Sequence, residues 1–241
     1  MEPIQVYFRK MVIAQTNIQL YNQLRSDDWS EADLTSVRQA YDLSQKLFSN
    51  AYRPTQKPFV CHLIGVASVL AHWKEPPAMV IAGLLHSSYL YGKFGDKGLG
   101  VTCAKREYLR DIMGDTIENL IHDYSSSKDE DPLTSENRDF LVLSLADLYD
   151  ELLDLGPVYA PVKVIKELSG GSADVIKAAS RVIGPEAAIA FEEAIRNVER
   201  TSVLDCLTTS DIAFKRMKEG VSVFRNKRRK SILSRLLRKK N

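Results

Sequence analysis

Ile81-Ala82-Gly83-Leu84-Leu85-His86-Ser87 closes an apolar run that starts at Ala78, and it closes on a histidine and a serine. The run carries no charge on any side, so as a helix it belongs inside a bundle rather than on its surface. The preceding segment, Phe59 to His72, has the same character and is separated from it by Trp73-Lys74-Glu75-Pro76-Pro77, a proline break. Two helices of sustained apolar character, carrying His62 and His86, predict the centre of an all-α protein. A third polar group stands out in the same way: Asp147 follows three apolar turns in the helix expected from Arg138 to Asp154. A buried carboxylate is costly there unless it meets a cation or hydrogen-bond donors.

Outward from this centre nearly every periodic segment reads as helix. Asp27 to Ala32 offers polar caps before Leu34, Val37, Ala40, Tyr41, Leu43 and Leu47, which recur at three- and four-residue intervals. Lys105 to Tyr124 is expected as a helix, followed by the polar loop Ser125 to Pro132. Beyond Gly156, Pro161 to Asp174 leads to helices expected at Asp174 to Ile183 and Pro185 to Val198, with proline in the first turn of the second. Gly92 to Gly100 is glycine-rich without the spacing of a phosphate loop, so its glycines serve turns, in a place where a lid over the His86 helix is conceivable.

Four segments, in order, resemble the HD superfamily of metal-dependent phosphohydrolases, and within it the RelA/SpoT guanosine-tetraphosphate hydrolase domain. Tyr52-Arg53-Pro54-Thr55-Gln56-Lys57-Pro58-Phe59-Val60-Cys61-His62 is similar to the segment with that family's first metal histidine. Leu84-Leu85-His86-Ser87 is similar to its Leu-Leu-His-Asp, Ile112 to Ile121 to the stretch that follows, and Leu145-Ala146-Asp147-Leu148 to its Leu-Ala-Asp-Arg. The resemblance implies an HD-domain-like helical bundle over residues 1–155, matched from about 35 to 155; residues 156–214 lie outside it and read as a helical extension packed on the core. It also implies metal ligands at His62, His86 and Asp147, with one divalent ion (Mn, Fe or Zn) or none. Ligand contacts are expected at Arg53, Lys57, Ser87, Tyr89, Tyr91 and Glu151.

The departures from that family bear on activity. Ser87 stands where the family has a metal-bridging aspartate, and Leu90 and Tyr91 stand where its acidic pair handles water. Glu151 takes a position that is usually Asn. The expectation is therefore a catalytically degenerate protein that binds a phosphorylated small molecule or serves as a regulatory scaffold. The alternatives are a metal-dependent phosphohydrolase using His62, His86 and Asp147, or a non-haem iron oxygenase, because two imidazoles and a carboxylate suit either ion chemistry. Arg53 is suited to bidentate contact with phosphate. Tyr89 and Tyr91 are either pocket walls or packing that fills an abandoned site.

Composition sets the remaining bounds. The fractions of apolar and charged residues, 44% and 27%, are those of a globular domain. No apolar run is long enough to span a bilayer, and the first residues lack the pattern of a signal peptide, so a cytoplasmic location is expected. Cys61, Cys103 and Cys206 have neither disulfide nor zinc-knuckle spacing. His72, at a helix end beside Trp73, is explained by the helix C-terminus, and His122-Asp123 falls on no ligand position of the resemblance. The net charge of +2 hides an asymmetry: residues 215–241 hold six Lys and six Arg against Glu219 alone, so a body at −9 carries a tail at +11. Within the tail Ile232, Leu233, Leu236 and Leu237 share a helical face, which suits an anionic membrane surface, an acidic protein, or simply solvent. No aromatic interleaving supports nucleic acid as a partner, and nothing in the chain speaks to its oligomeric state.

Overall fold

The computed structural model describes residues 12–53, 55, 57–95, 100–127, 130–159, 171–204 and 207. The basic tail, the segment 160–170 and the middle of the glycine-rich stretch lie outside the described residues. The architecture is all-α, and the isolated bridge between Tyr52 and Pro58 is the one β pairing among the described residues.

Helices α1 (Asn17–Ser26), α2 (Glu31–Phe48), α3 (Phe59–His72), α4 (Pro77–Leu85) and α5 (Ser88–Tyr91) form the first half. They are followed by α6 (Cys103–Met113), α7 (Asp115–Ser126), α8 (Arg138–Leu153), α9 (Gly156–Tyr159), α10 (Ser172–Val182) and α11 (Pro185–Arg200). Their starts follow local chemistry. Thr16 caps α1 in a reciprocal capping box with Gln19, Ser30 caps α2 through the Asp33 amide, and Asn137 caps α8 through the Phe140 amide. The helix expected from Lys105 to Tyr124 is two helices. Gly114 separates them with φ of 82°, a left-handed conformation that ends α6 and is open to glycine at little cost.

α3 and α4 sit at the centre, as their apolar sequences require. Leu63, Val66, Val69, Leu70, Val80, Ala82, Leu84 and Leu85 are wholly buried. Gly83 lets the two helices approach closely, since a Cβ there would come within 2.7 Å of Leu70 Cδ1 and 3.3 Å of the Ala67 backbone. Phe48 of α2 stacks on Phe59 of α3 with ring centroids 4.7 Å apart, and burial of each ring contributes about 1.5–3 kcal/mol. On the other side α8 packs against α3, and α11 covers α8 through Phe191, whose ring lies 4.8 Å from that of Tyr149. Among the described residues no helix is long and apolar enough to cross a membrane.

Candidate metal centre

The site is assembled where α3, α4 and α8 meet. The chain enters α3 through a tight loop closed by hydrogen bonds from Arg53 N to Lys57 O (2.8 Å) and from Phe59 N to Ala51 O (2.9 Å). That closure sets Arg53 and Lys57 beside the first turn of α3, just before His62. α8 presents Asp147, Asp150 and Glu151, and Asp154 follows as its C-cap; spaced three, four and seven residues from the first, they form one carboxylate stripe.

His62, His86 and Asp147 converge: each offers a ligand atom, and these atoms lie within 4.8 Å of one another. Both histidines are buried, at 1% and 0% exposure. Their rings meet edge to face, with centroids 5.6 Å apart. His86 Nδ1 lies 2.8 Å from the carbonyl oxygen of Gly83, which can only accept, so Nδ1 carries the proton. Burial pushes His86 down to about 4, against the pull of Asp147. Near neutral pH its Nε2 is therefore a bare lone pair, buried and without a hydrogen-bond partner.

His62 is oriented in the same sense from the other side. Its Nδ1 lies 2.8 Å from Asp150 Oδ2, and its Nε2 lies 2.9 Å from Asp147 Oδ1 without the geometry of a hydrogen bond. The same Asp147 oxygen is 3.8 Å from His86 Nε2 and 3.4 Å from Arg53 Nη1. Tyr124 of α7 completes this wall, its hydroxyl 3.3 Å from Asp147 Oδ2 and its ring edge-on to His86 with centroids 5.0 Å apart.

Two cations face the carboxylate stripe. Arg53 donates to Glu151 Oε2 at 2.8 Å, while Lys57 donates to both oxygens of Asp150 at 2.9 Å and pairs with Asp154 at 2.5 Å. Burial alone would raise the Asp147 carboxyl, but Arg53 and the two histidines outweigh it and hold the group well below the usual range. Asp150 is lowered likewise, against its burial, by His62 and Lys57. Counted without the imidazoles, Arg53 and Lys57 against Asp147, Asp150, Glu151 and Asp154 leave these six side chains at −2.

Of the residues expected from the sequence, His62, His86, Asp147, Arg53, Lys57 and Glu151 are brought together. Tyr91 lies at the edge of the group, its ring 5.8 Å from that of Phe59. Ser87 is wholly buried next to His86, and its Oγ has no hydrogen-bond partner. Tyr89 is directed elsewhere: its hydroxyl donates to Glu118 Oε1 at 2.6 Å, in a buried network closed by Arg106 and Arg110. That carboxylate holds Tyr89 because α7 carries Glu118 into the core, where Arg106 and the tyrosine bring it down to about 2 against its burial. The described ends of the glycine-rich stretch are tied down by Lys93 N to Leu47 O (2.9 Å) and Gly100 N to Tyr89 O (3.1 Å).

Two residues of the site are absent from the expectations above. Asp150 was signalled by the carboxylate stripe, which repeats the argument made for Asp147 one turn later. Tyr124 follows His122-Asp123; His122 itself is partly exposed and, among the described residues, lies beside Asp123 and Ser126, away from the site.

Residues 45–128 match the family model described as Domain of unknown function (DUF6817). A GTP pyrophosphokinase from Myxococcus xanthus is 26% identical over 91 residues, which is 38% of this chain and 11% of that protein. The family match covers His62 and His86 and stops before Asp147.

Proposed function

We propose that this chain is a divergent HD-type domain that holds one divalent ion between His62, His86 and Asp147 and binds a phosphorylated small molecule beside it. Its role is ligand binding or regulation rather than efficient hydrolysis. One observation carries the reading: the His86 Nε2 lone pair is buried, deprotonated and unpartnered, and it faces the same carboxylate as His62 Nε2. A second proton on His62 would satisfy His62 alone; a cation between the three residues satisfies all of them. Two neutral imidazoles and one carboxylate suit Mn, Fe or Zn better than Mg.

Charge balance supports the order of binding. A phosphate entering a cluster already at −2 meets repulsion, because Arg53 and Lys57 are engaged by carboxylates. An ion held by His62, His86 and Asp147 would supply positive charge to offset that excess, and Arg53, 3.4 Å from Asp147 Oδ1, would be the residue to donate to a phosphate oxygen. The bound ion would supply Lewis-acid polarisation of such an oxygen. Turnover is expected to be slow, because Ser87, Leu90 and Tyr91 occupy the positions at which the resemblance to hydrolases places carboxylates. The partial similarity to a GTP pyrophosphokinase supports a phosphorylated nucleotide as the ligand class.

Calorimetric titration with pyrophosphate and with guanosine tetraphosphate, each with manganese and again with excess chelator, tests this proposal. Binding confined to the manganese-loaded protein is expected. Equal binding after chelation would count against it, and rapid manganese-dependent hydrolysis abolished by His86→Ala would establish the phosphohydrolase alternative instead.

A further inference from the structure

Asp150 is the most enclosed carboxylate of the α8 stripe, at 1% exposure, and its surroundings serve a single contact. Lys57 donates to both of its oxygens at 2.9 Å, which fixes the plane of the carboxylate. In that orientation Oδ2 lies 2.8 Å from His62 Nδ1. The space it fills exists only because residue 65 is glycine, for a Cβ there would sit 1.8 Å from Asp150 Oδ1.

We infer that Asp150 is a positioning residue for the metal site: it holds the proton of His62 on Nδ1 and so presents the Nε2 lone pair to the ion. This rests on the metal-binding reading above. A ring nitrogen can ligate only when its proton is held elsewhere, and a carboxylate behind an imidazole both selects that tautomer and raises the basicity of the coordinating nitrogen. His86 receives the same service from a neutral acceptor, the Gly83 carbonyl. The two ligands are thus unequal, and His62 is the stronger donor. Ser87 removes a negative charge from beside the ion; Asp150 restores one behind a ligand.

The test is the zinc affinity of the full chain, measured by competition with a chromophoric chelator, in Asp150→Ala, Asp150→Asn and Asp154→Asn. Asp154→Asn removes the same charge from the same lysine without touching His62. Asp150→Ala should weaken zinc binding about 10- to 100-fold. Asp150→Asn should lose less, because its amide oxygen still accepts from Nδ1, and Asp154→Asn should stay within about fivefold of the unaltered protein. Long-range nitrogen–proton spectra of the zinc-loaded protein should show His62 coordinated through Nε2 with Nδ1 protonated. An Asp150→Ala protein that binds zinc as well as Asp154→Asn does, or His62 coordinated through Nδ1, overturns the inference while leaving the metal site standing. An unaltered chain that takes up no zinc overturns the metal site and this inference together.

Discussion

Alanine at Gly65 would strike the site through α8 without touching a ligand. Its Cβ would lie 1.8 Å from Asp150 Oδ1 and 2.6 Å from Cγ, where ordinary contacts begin at 3.4 Å, so the carboxylate must move by roughly 1.6 Å or the helices must part. Either response strains the bonds from Asp150 to His62 and Lys57, at 2.8 and 2.9 Å. Overpacking of a tight core costs about 1–3 kcal/mol, and loosening a buried ion pair adds about 1–3 kcal/mol. Alanine returns about 1 kcal/mol through its better helix propensity, leaving a net loss of about 3 kcal/mol. The cause is separable from general damage to α3. In an Asp150→Ala background the clash is gone, so Gly65→Ala should be neutral or stabilising by up to about 1 kcal/mol. Urea unfolding of the four proteins of this cycle gives the coupling directly. A loss of the same size in both backgrounds would refute the reasoning, because it would place the strain somewhere other than Asp150.

Acid should destabilise the metal-free protein through His86. Its imidazole is held down to about 4 by burial, while the unfolded chain takes up that proton near the ordinary 6.5, so its contribution is full above about 6.5 and lost as pH falls toward 4. About 3 kcal/mol should disappear across that window in urea titrations, and His86→Gln should flatten the slope; a slope unchanged by the substitution would show that other groups set it. Ser87→Asp should raise metal affinity by about tenfold or more, the scale of one contact to a charged group, with little gain in guanosine-tetraphosphate turnover, read by competition titration and product assay. Residues 215–241 should confer salt-sensitive binding to vesicles of anionic lipid, and truncation after Phe214 should abolish it with the thermal transition nearly unmoved; equal binding without the tail would remove the membrane-surface role.

The helical class was legible because α3 and α4 are apolar on nearly all sides, a pattern that fits only the inside of a bundle. The convergence of His62, His86 and Asp147 was legible through the ordered resemblance, since spacing along a chain does not bring α3, α4 and α8 together. What stayed hidden depends on which way a helix face turns. Asp150 and Asp147 share a stripe, yet only the packing of α8 on Gly65 shows that Asp150 backs His62. Tyr89 was placed near the site because it follows the His86 helix, but α4 ends at Leu85 and Tyr89 belongs to the separate helix α5, where its hydroxyl donates to Glu118 on α7. The break in the helix expected from Lys105 to Tyr124 rested on Gly114 adopting a positive φ, which glycine permits but does not require.

The central claim is that two buried imidazole lone pairs and one carboxylate form a cation site. Equilibrium dialysis of the purified chain against zinc, followed by elemental analysis, addresses it with no assumption about ligand or reaction. The account predicts one tightly held ion per chain, lost in His62→Ala, His86→Ala and Asp147→Ala while each variant remains helical. An unaltered chain that retains no zinc, or a His86→Ala protein that retains it as firmly as the unaltered chain, would contradict it.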